Sequence, residues 1–276
     1  MTPDWNASAP AGLACSLLFA ALLAAGPVPA ADAPAQTQSQ QEAAALVKAM
    51  AENLASLKSF SCTSSNGYEV VQANGQKIEF GETRRVSLAR PDRLRIDEVA
   101  SDGLTDLVLF DGKQITMLSA DNNVYAQAPQ PPSLEDALVY FVRDLRMRMP
   151  LALLLSTHVR TELPSLIKEI DYVESTTIRN QVAHHVAGRG ESVDFQFWIS
   201  DGKNPLPLRV AITYKLAEGQ PKFWADLSDW NTSPKFGSAT FQASLPKDAR
   251  RIPFAVQLTA LGATPQAPAA SGEVKP

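Results

Sequence analysis

Residues 106–149 read DLVLFDGKQITMLSADNNVYAQAPQPPSLEDALVYFVRDLRMRM, and the fold turns on how this run divides. Asp106–Phe110 and Gln114–Leu118 are two short strands on either side of Asp111-Gly112, a pair suited to the positive φ of a hairpin turn. Asp121-Asn122-Asn123 makes a second turn, and Val124–Ala128 a third strand. Pro129, Pro131 and Pro132 stop strand pairing. Ser133 is then a good helix N-cap, with Glu135 and Asp136 in the first turn, where carboxylates favour the helix dipole. Leu134, Leu138, Phe141, Leu145 and Met149 recur at helical spacing up to Pro150. Val139, Tyr140 and Val142 make the other side apolar too, so the spacing predicts a helix enclosed on most sides.

Outward from this run, the same punctuation recurs. Phe60–Val71 and Lys77–Leu88 pair around Asn74-Gly75. Ile78 and Phe80 alternate with Lys77 and Glu79, giving one dry and one wet face. Arg90-Pro91 ends that strand and Arg93–Val99 starts another. Before them, Gln41–Ser59 reads as an amphipathic helix with Ala45, Leu46, Met50, Leu54 and Leu57 on one side. After Pro150, Leu151–Ser156 and Leu163–Ile170 read as short helices. From Ile178 the period of two returns in Val182–Ala187, Val193–Ile199, Leu206–Leu216 and Lys222–Trp230, with Gly188-Arg189-Gly190 as a turn and Thr240–Ala243 closing the sheet. Many short strands with helices at the start and middle indicate an α+β domain over residues 42–258.

The ends set the compartment. Leu13–Ala25 is a short apolar stretch followed by Val28-Pro29-Ala30, a small-residue cleavage pattern, although the first ten residues lack the usual Lys or Arg. Residues 1–30 are therefore expected to be an export signal, residues 31–41 a flexible leader and residues 259–276 a disordered tail. Cys15 sits too early in the apolar run for a lipid-attachment site. The exported chain keeps only Cys62, so it has no internal disulfide, and no other stretch approaches a membrane span. The net charge of −4 argues against nucleic-acid binding.

Chemistry is sparse. His184 and His185 are adjacent, so on a strand they point to opposite faces and cannot share a metal ion. Gly190–Asp194 lacks the glycine that follows a nucleophilic serine in an elbow motif. Asp97-Glu98 and Glu135-Asp136 suit surfaces and caps, and Cys62 reads as a buried apolar cysteine. No cofactor or metal is expected, and no enzyme. Phe195 and Phe197 share one strand face with Trp198 on the other, and Phe223 opposes Trp224 in the same way.

The order Ala89-Arg90-Pro91-Asp92-Arg93-Leu94-Arg95, then Phe110-Asp111-Gly112-Lys113-Gln114-Ile115-Thr116-Met117-Leu118, then Asn123-Val124-Tyr125, resembles the periplasmic carriers that ferry lipoproteins to the outer membrane. It is closest to an uncharacterised branch of predicted periplasmic proteins within that LolA-like superfamily. The resemblance implies a strongly curved antiparallel sheet, an open half-barrel, with helices packed on its concave face over a hydrophobic cavity. It also implies a periplasmic location. A lipid, lipoprotein acyl chain or other hydrophobic ligand is the expected partner, and an envelope protein the alternative one. The residues expected to face such a ligand are Leu134, Leu138, Phe141, Leu145, Met149, Phe195, Phe197 and Phe223.

Overall fold

The computed structural model describes residues 36–129, 133–145 and 149–254. The expected signal, Cys15, the turn prolines Pro131 and Pro132, and the expected tail lie outside the described residues. Within them, twelve strands form one unclosed sheet in the order β12-β6-β5-β4-β3-β2-β1-β11-β10-β9-β8-β7.

The first half is a meander: β1 (Ser59–Val71), β2 (Lys77–Ala89), β3 (Arg93–Ala100), β4 (Thr105–Phe110), β5 (Gln114–Ser119) and β6 (Val124–Pro129). Its turns follow the sequence: Gly75 and Gly112 take φ of 82° and 83°, and Asp111 Oδ1 accepts from the Lys113 and Gln114 amides. The second half is another meander of β7 (Glu169–Ile178), β8 (Gln181–Arg189), β9 (Val193–Ser200), β10 (Pro207–Tyr214) and β11 (Lys222–Asn231). Antiparallel pairing of β1 with β11 joins the halves.

β7 differs from the sequence expectation, which placed a helix over Leu163–Ile170. The helix lies earlier, at α4 (Val159–Ser165), with Pro164 in its last turn. β7 is an edge strand with a bulge between Tyr172 and Glu174, so its alternation is too broken to read as a strand. Gly188 likewise lies inside β8, not in a turn, and the Phe195 ring fills the space a Cβ would occupy there. Thr240–Ala243 forms no strand. β12 is Arg250–Arg251, parallel to β6, and Phe241 packs instead on the back of β4 and β5 against Leu107, Leu109 and Leu118.

Helix α1 (Gln38–Ser56) starts inside the expected leader because Thr37 and Gln40 form a capping box. Its buried face is Ala43, Val47, Met50, Ala51 and Leu54, rotated from the expected one, so that Ala45 is exposed. Helix α2 (Leu134–Val139) runs on as a π-helical turn through Tyr140–Asp144. Leu134, Ala137, Leu138, Phe141 and Leu145 are buried, whereas Val139 and Val142 are exposed, so the helix is covered on one side only. A short α3 (Ala152–Leu155) follows.

Topology explains where these helices go. β6 and β7 stand near opposite edges of the sheet, so the connection carrying α2, α3 and α4 has to cross it. Its buried residues join those of α1 and of one sheet face in a single hydrophobic cluster. Arg90, at the end of β2, pins the crossing. Its Nε donates to Leu57 O at the end of α1 (3.0 Å), Nη2 to Leu155 O at the end of α3 (2.9 Å) and Nη1 to Glu135 in the first turn of α2 (3.2 Å).

The start of α2 is set by Ser133, whose hydroxyl accepts from the Asp136 amide at 3.1 Å. Ser133→Ala is expected to cost about 0.5–2 kcal/mol in chemical denaturation, by leaving a first-turn N–H without its partner.

Candidate functional site

The registers of β1–β6 align the inward-facing residues in three rows across six strands. The first is Phe60–Leu88–Leu94–Phe110–Ile115–Ala128, all of it buried. The second is Cys62–Val86–Ile96–Val108–Met117–Ala126. The third is Ser64–Arg84–Glu98–Asp106–Ser119–Val124. The first two rows are thus apolar, and two residues further along, β2, β3 and β4 carry charge (Arg84, Glu98, Asp106) and β1 and β5 a serine, with Val124 on β6 remaining apolar.

Two connected hollows follow this gradient. A small apolar pit of about 50 Å³ lies between the sheet and Met149–Leu155, with Phe60, Cys62, Val86, Leu227 and Trp230 among the sheet residues around it. A wider cleft of about 250 Å³ adjoins it, lined by Tyr68, Glu82, Arg84, Glu98, Asp106 and Met117. Arg84, Ile96, Met149, Pro150 and Phe223 line both, and Ser64 and Asn66 add polar groups to the largely apolar pit.

Of the residues expected to face a ligand, Met149 and Phe223 line these hollows. Leu134, Leu138, Phe141 and Leu145 are buried in the helical part of the core, and Phe195 and Phe197 in the β9 part, away from the lining. Phe195, Phe197 and Phe223 do share the core face. Trp198 and Trp224 lie on the other face, with the Arg209 guanidinium between them at 5.5 and 5.6 Å. His184 and His185 diverge as their spacing requires: His184 bonds Tyr172 and Asp201, and His185 stacks on Trp198 at 4.1 Å.

The charged row was missed in the sequence, where Asp97-Glu98 read as surface. Arg84 bridges two carboxylates, Nη2 to Glu82 at 2.9 Å and Nε to Glu98 at 2.8 Å. Glu82 also accepts from Asn66 Nδ2 at 3.0 Å, and Asn66 Oδ1 accepts from the Ser64 hydroxyl at 2.5 Å. The side chains of Glu82, Arg84 and Glu98 are only 10, 16 and 21 % exposed. The available signal was strand parity: Arg84, Glu98 and Asp106 occupy the positions that Val86, Ile96 and Val108 mark as inward. By the same parity Ile78 and Phe80 face inward, yet both are exposed, because they lie beyond the cover of the helices; Phe80 stacks on Tyr68 at 5.8 Å.

Burial raises the Glu98 carboxyl above its ordinary value, and Glu82 and Asp106 add to the rise against the opposing pull of Arg84. Burial likewise pushes the Cys62 thiol up to about 12, helped by the negative charge of Asp229, which keeps the reactive thiolate scarce at neutral pH. Among the described residues no group of His, Cys, Asp and Glu has the arrangement of a metal site.

Residues 43–255 match the family of predicted periplasmic proteins designated DUF2092. The chain belongs to this family. Its compartment is the periplasm, as the N-terminal stretch and the resemblance implied, and among the described residues no helix is long and apolar enough to cross a membrane. No curated protein matches the sequence. Among solved structures the chain is similar to the Mycobacterium tuberculosis lipoprotein LppX, at 13 % identity and a TM-score of 0.48 over 71 % of this chain and 99 % of that one. It is also similar to a LolA superfamily protein from Nitrosomonas europaea (9 % identity, TM-score 0.33, 73 % and 97 % of the chains). A third likeness is to the Pseudomonas aeruginosa MucA/MucB complex (19 %, 0.38, 74 % and 61 %).

Two measurements test this geometry. Phe141 is fully buried away from the hollows, so Phe141→Ala should cost about 3–5 kcal/mol of unfolding free energy. Met149→Ala, at a partly open wall, should cost clearly less, and equal losses would contradict the placement. The second concerns Glu98. A raised folded pKa means that the folded state holds this proton more tightly than the unfolded chain does. Its contribution to stability is therefore full below the ordinary value of 4.5 and is lost as pH rises through the folded value. Carboxyl-carbon NMR should show one glutamate with a high midpoint, absent in Glu98→Gln.

Proposed function

We propose that this protein is a non-enzymatic periplasmic binding protein that holds a lipid, a lipoprotein acyl chain or another hydrophobic ligand between Met149–Leu155 and the inner face of the sheet. In this reading residues 42–258 form one domain, and the sheet curves as an open half-barrel whose concave face the helices close. The observation that carries it is the pair of connected hollows: a dry end walled by Phe60, Trp230 and Leu154, opening into a wider, polar-rimmed cleft.

The sizes define what loading requires. A pit of about 50 Å³ is close to the share of one or two water molecules, ~30 Å³ each, and so holds no more than a chain end as it stands. A longer chain has to displace the cover. That cover is weakly built: α3 has four residues, too few to be helical alone, and its last carbonyl depends on the Arg90 guanidinium. Moving it exposes Cys62, Val86 and Ile96 of the second row, which would form the floor of the enlarged cavity. Leu134, Leu138, Phe141 and Leu145, with Phe195 and Phe197, then act as the packed walls behind the site.

A second reading, a module that recognises an envelope protein, draws support from the opposite face. There His185, Trp198, Arg209 and Trp224 form a stacked row across β8–β11. Phe236 and Phe241 cover the equivalent surface of the first half.

Organic extraction of the purified protein followed by mass spectrometry should release bound lipid. With Cys15 replaced by Ser, Cys62 should react slowly with a thiol reagent, and more slowly still after incubation with a long-chain amphiphile. No extractable lipid, together with a labelling rate that amphiphile leaves unchanged, would remove the binding reading and favour the outer-face module.

A further inference from the structure

The chemistry of the cleft specifies the ligand further, on the premise that the hollows are the binding site. From the described lining we infer that the cleft selects a single-chain amphiphile whose head group donates hydrogen bonds and carries no negative charge, such as a hydroxylated or ammonium head.

The apolar pit fixes direction: a hydrocarbon end points toward Phe60, Leu154 and Trp230, which leaves the head level with the charged row. There the described lining carries three carboxylates, Glu82, Glu98 and Asp106, against one cation, Arg84. The charge of Arg84 is already offset by two carboxylates, its Nε donating to Glu98 and its Nη2 to Glu82. An anionic head would add a further negative charge to a described row whose carboxylates already outnumber its cation. Asp106 makes no side-chain hydrogen bond or ion pair among the described residues, and it pairs across the strands with Glu98. Beside the larger effect of burial, Glu82 and Asp106 both push the Glu98 carboxyl upward against Arg84, in keeping with a row short of positive charge. A donor head meets the opposite situation, with the carboxylates of Asp106 and Glu98 in the lining as acceptors and no cation besides Arg84 among the described lining residues.

Displacement of Nile red by three twelve-carbon amphiphiles below their micellar concentrations tests this. Monododecanoylglycerol and dodecylamine should displace it about tenfold more effectively than laurate, a modest share of the charge–charge energy at such separations. Asp106→Asn, which disturbs no bond of the Arg84 network, should narrow the gap between laurate and dodecylamine while leaving the unfolding midpoint near that of the wild type. Glu98→Gln should narrow it in the same direction. Laurate binding as well as or better than the other two, or a ranking that neither variant changes, would overturn the head-group inference while leaving the cavity in place. Failure of Nile red and of all three amphiphiles to bind would overturn the cavity reading itself.

Discussion

The meeting of three helix ends on Arg90 is the constraint on which the remainder of the structure depends. Helix C-termini present carbonyls that have no partner of their own, and a helix N-terminus favours acid. Arg90 donates to the carbonyl of Leu57, which caps α1, and to the last carbonyl of α3, and pairs with Glu135 in the first turn of α2. Glu135 in turn accepts from the amide and hydroxyl of Thr157, just before α4. Only a planar guanidinium with several fixed donors can serve three partners diverging in this way. The backbone contributes beside it, as the Arg90 amide donates to Lys58 O and the Leu134 amide to Pro91 O. Among the described residues, these bonds and the apolar contacts hold the crossing connection over the sheet.

Beneath that cover the inner face changes character within four residues on β1 to β5. Phe60, Leu88, Leu94, Phe110 and Ile115 are each fully buried, contributing roughly 1.5–3 kcal/mol apiece. Two rows further on, the chain places an ion-paired network where a larger core would have been the more stabilising choice. The network leaves Glu82, Arg84 and Glu98 partly removed from water beside a hollow.

The two halves treat the outer face differently. Over β4 and β5 the segment after β11 lays Phe236 and Phe241 against Leu107, Leu109 and Leu118. Over β8–β11 no such cover exists among the described residues, and the side chains protect one another by stacking, His185 on Trp198 and Arg209 between the two tryptophans. The row ends at Gly67, where the Trp224 ring sits so low on the sheet that a Cβ would fall 2.3 Å from it. The segment covering the first half then closes the sheet's edge with the two residues of β12.

How much of this was legible depends on which features are local. The hairpins at Gly75 and Gly112, the cap at Ser133 and the strands of the first meander are decided by neighbours a few residues apart, and the sequence alone determined them. It also determined which face of β9 and β11 carries Phe195, Phe197 and Phe223, because alternation is local. The bulged edge strand β7, the rotated face of α1 and the one-sided cover of α2 depend on what lies opposite them, which no window of sequence contains. The same holds for the charged row. Arg84, Glu98 and Asp106 come from three strands, and each by itself looks like an ordinary exposed residue on a polar stretch. Only strand registry places them side by side, and only the crossing helices, ending where they do, decide that the row borders a cleft instead of open solvent.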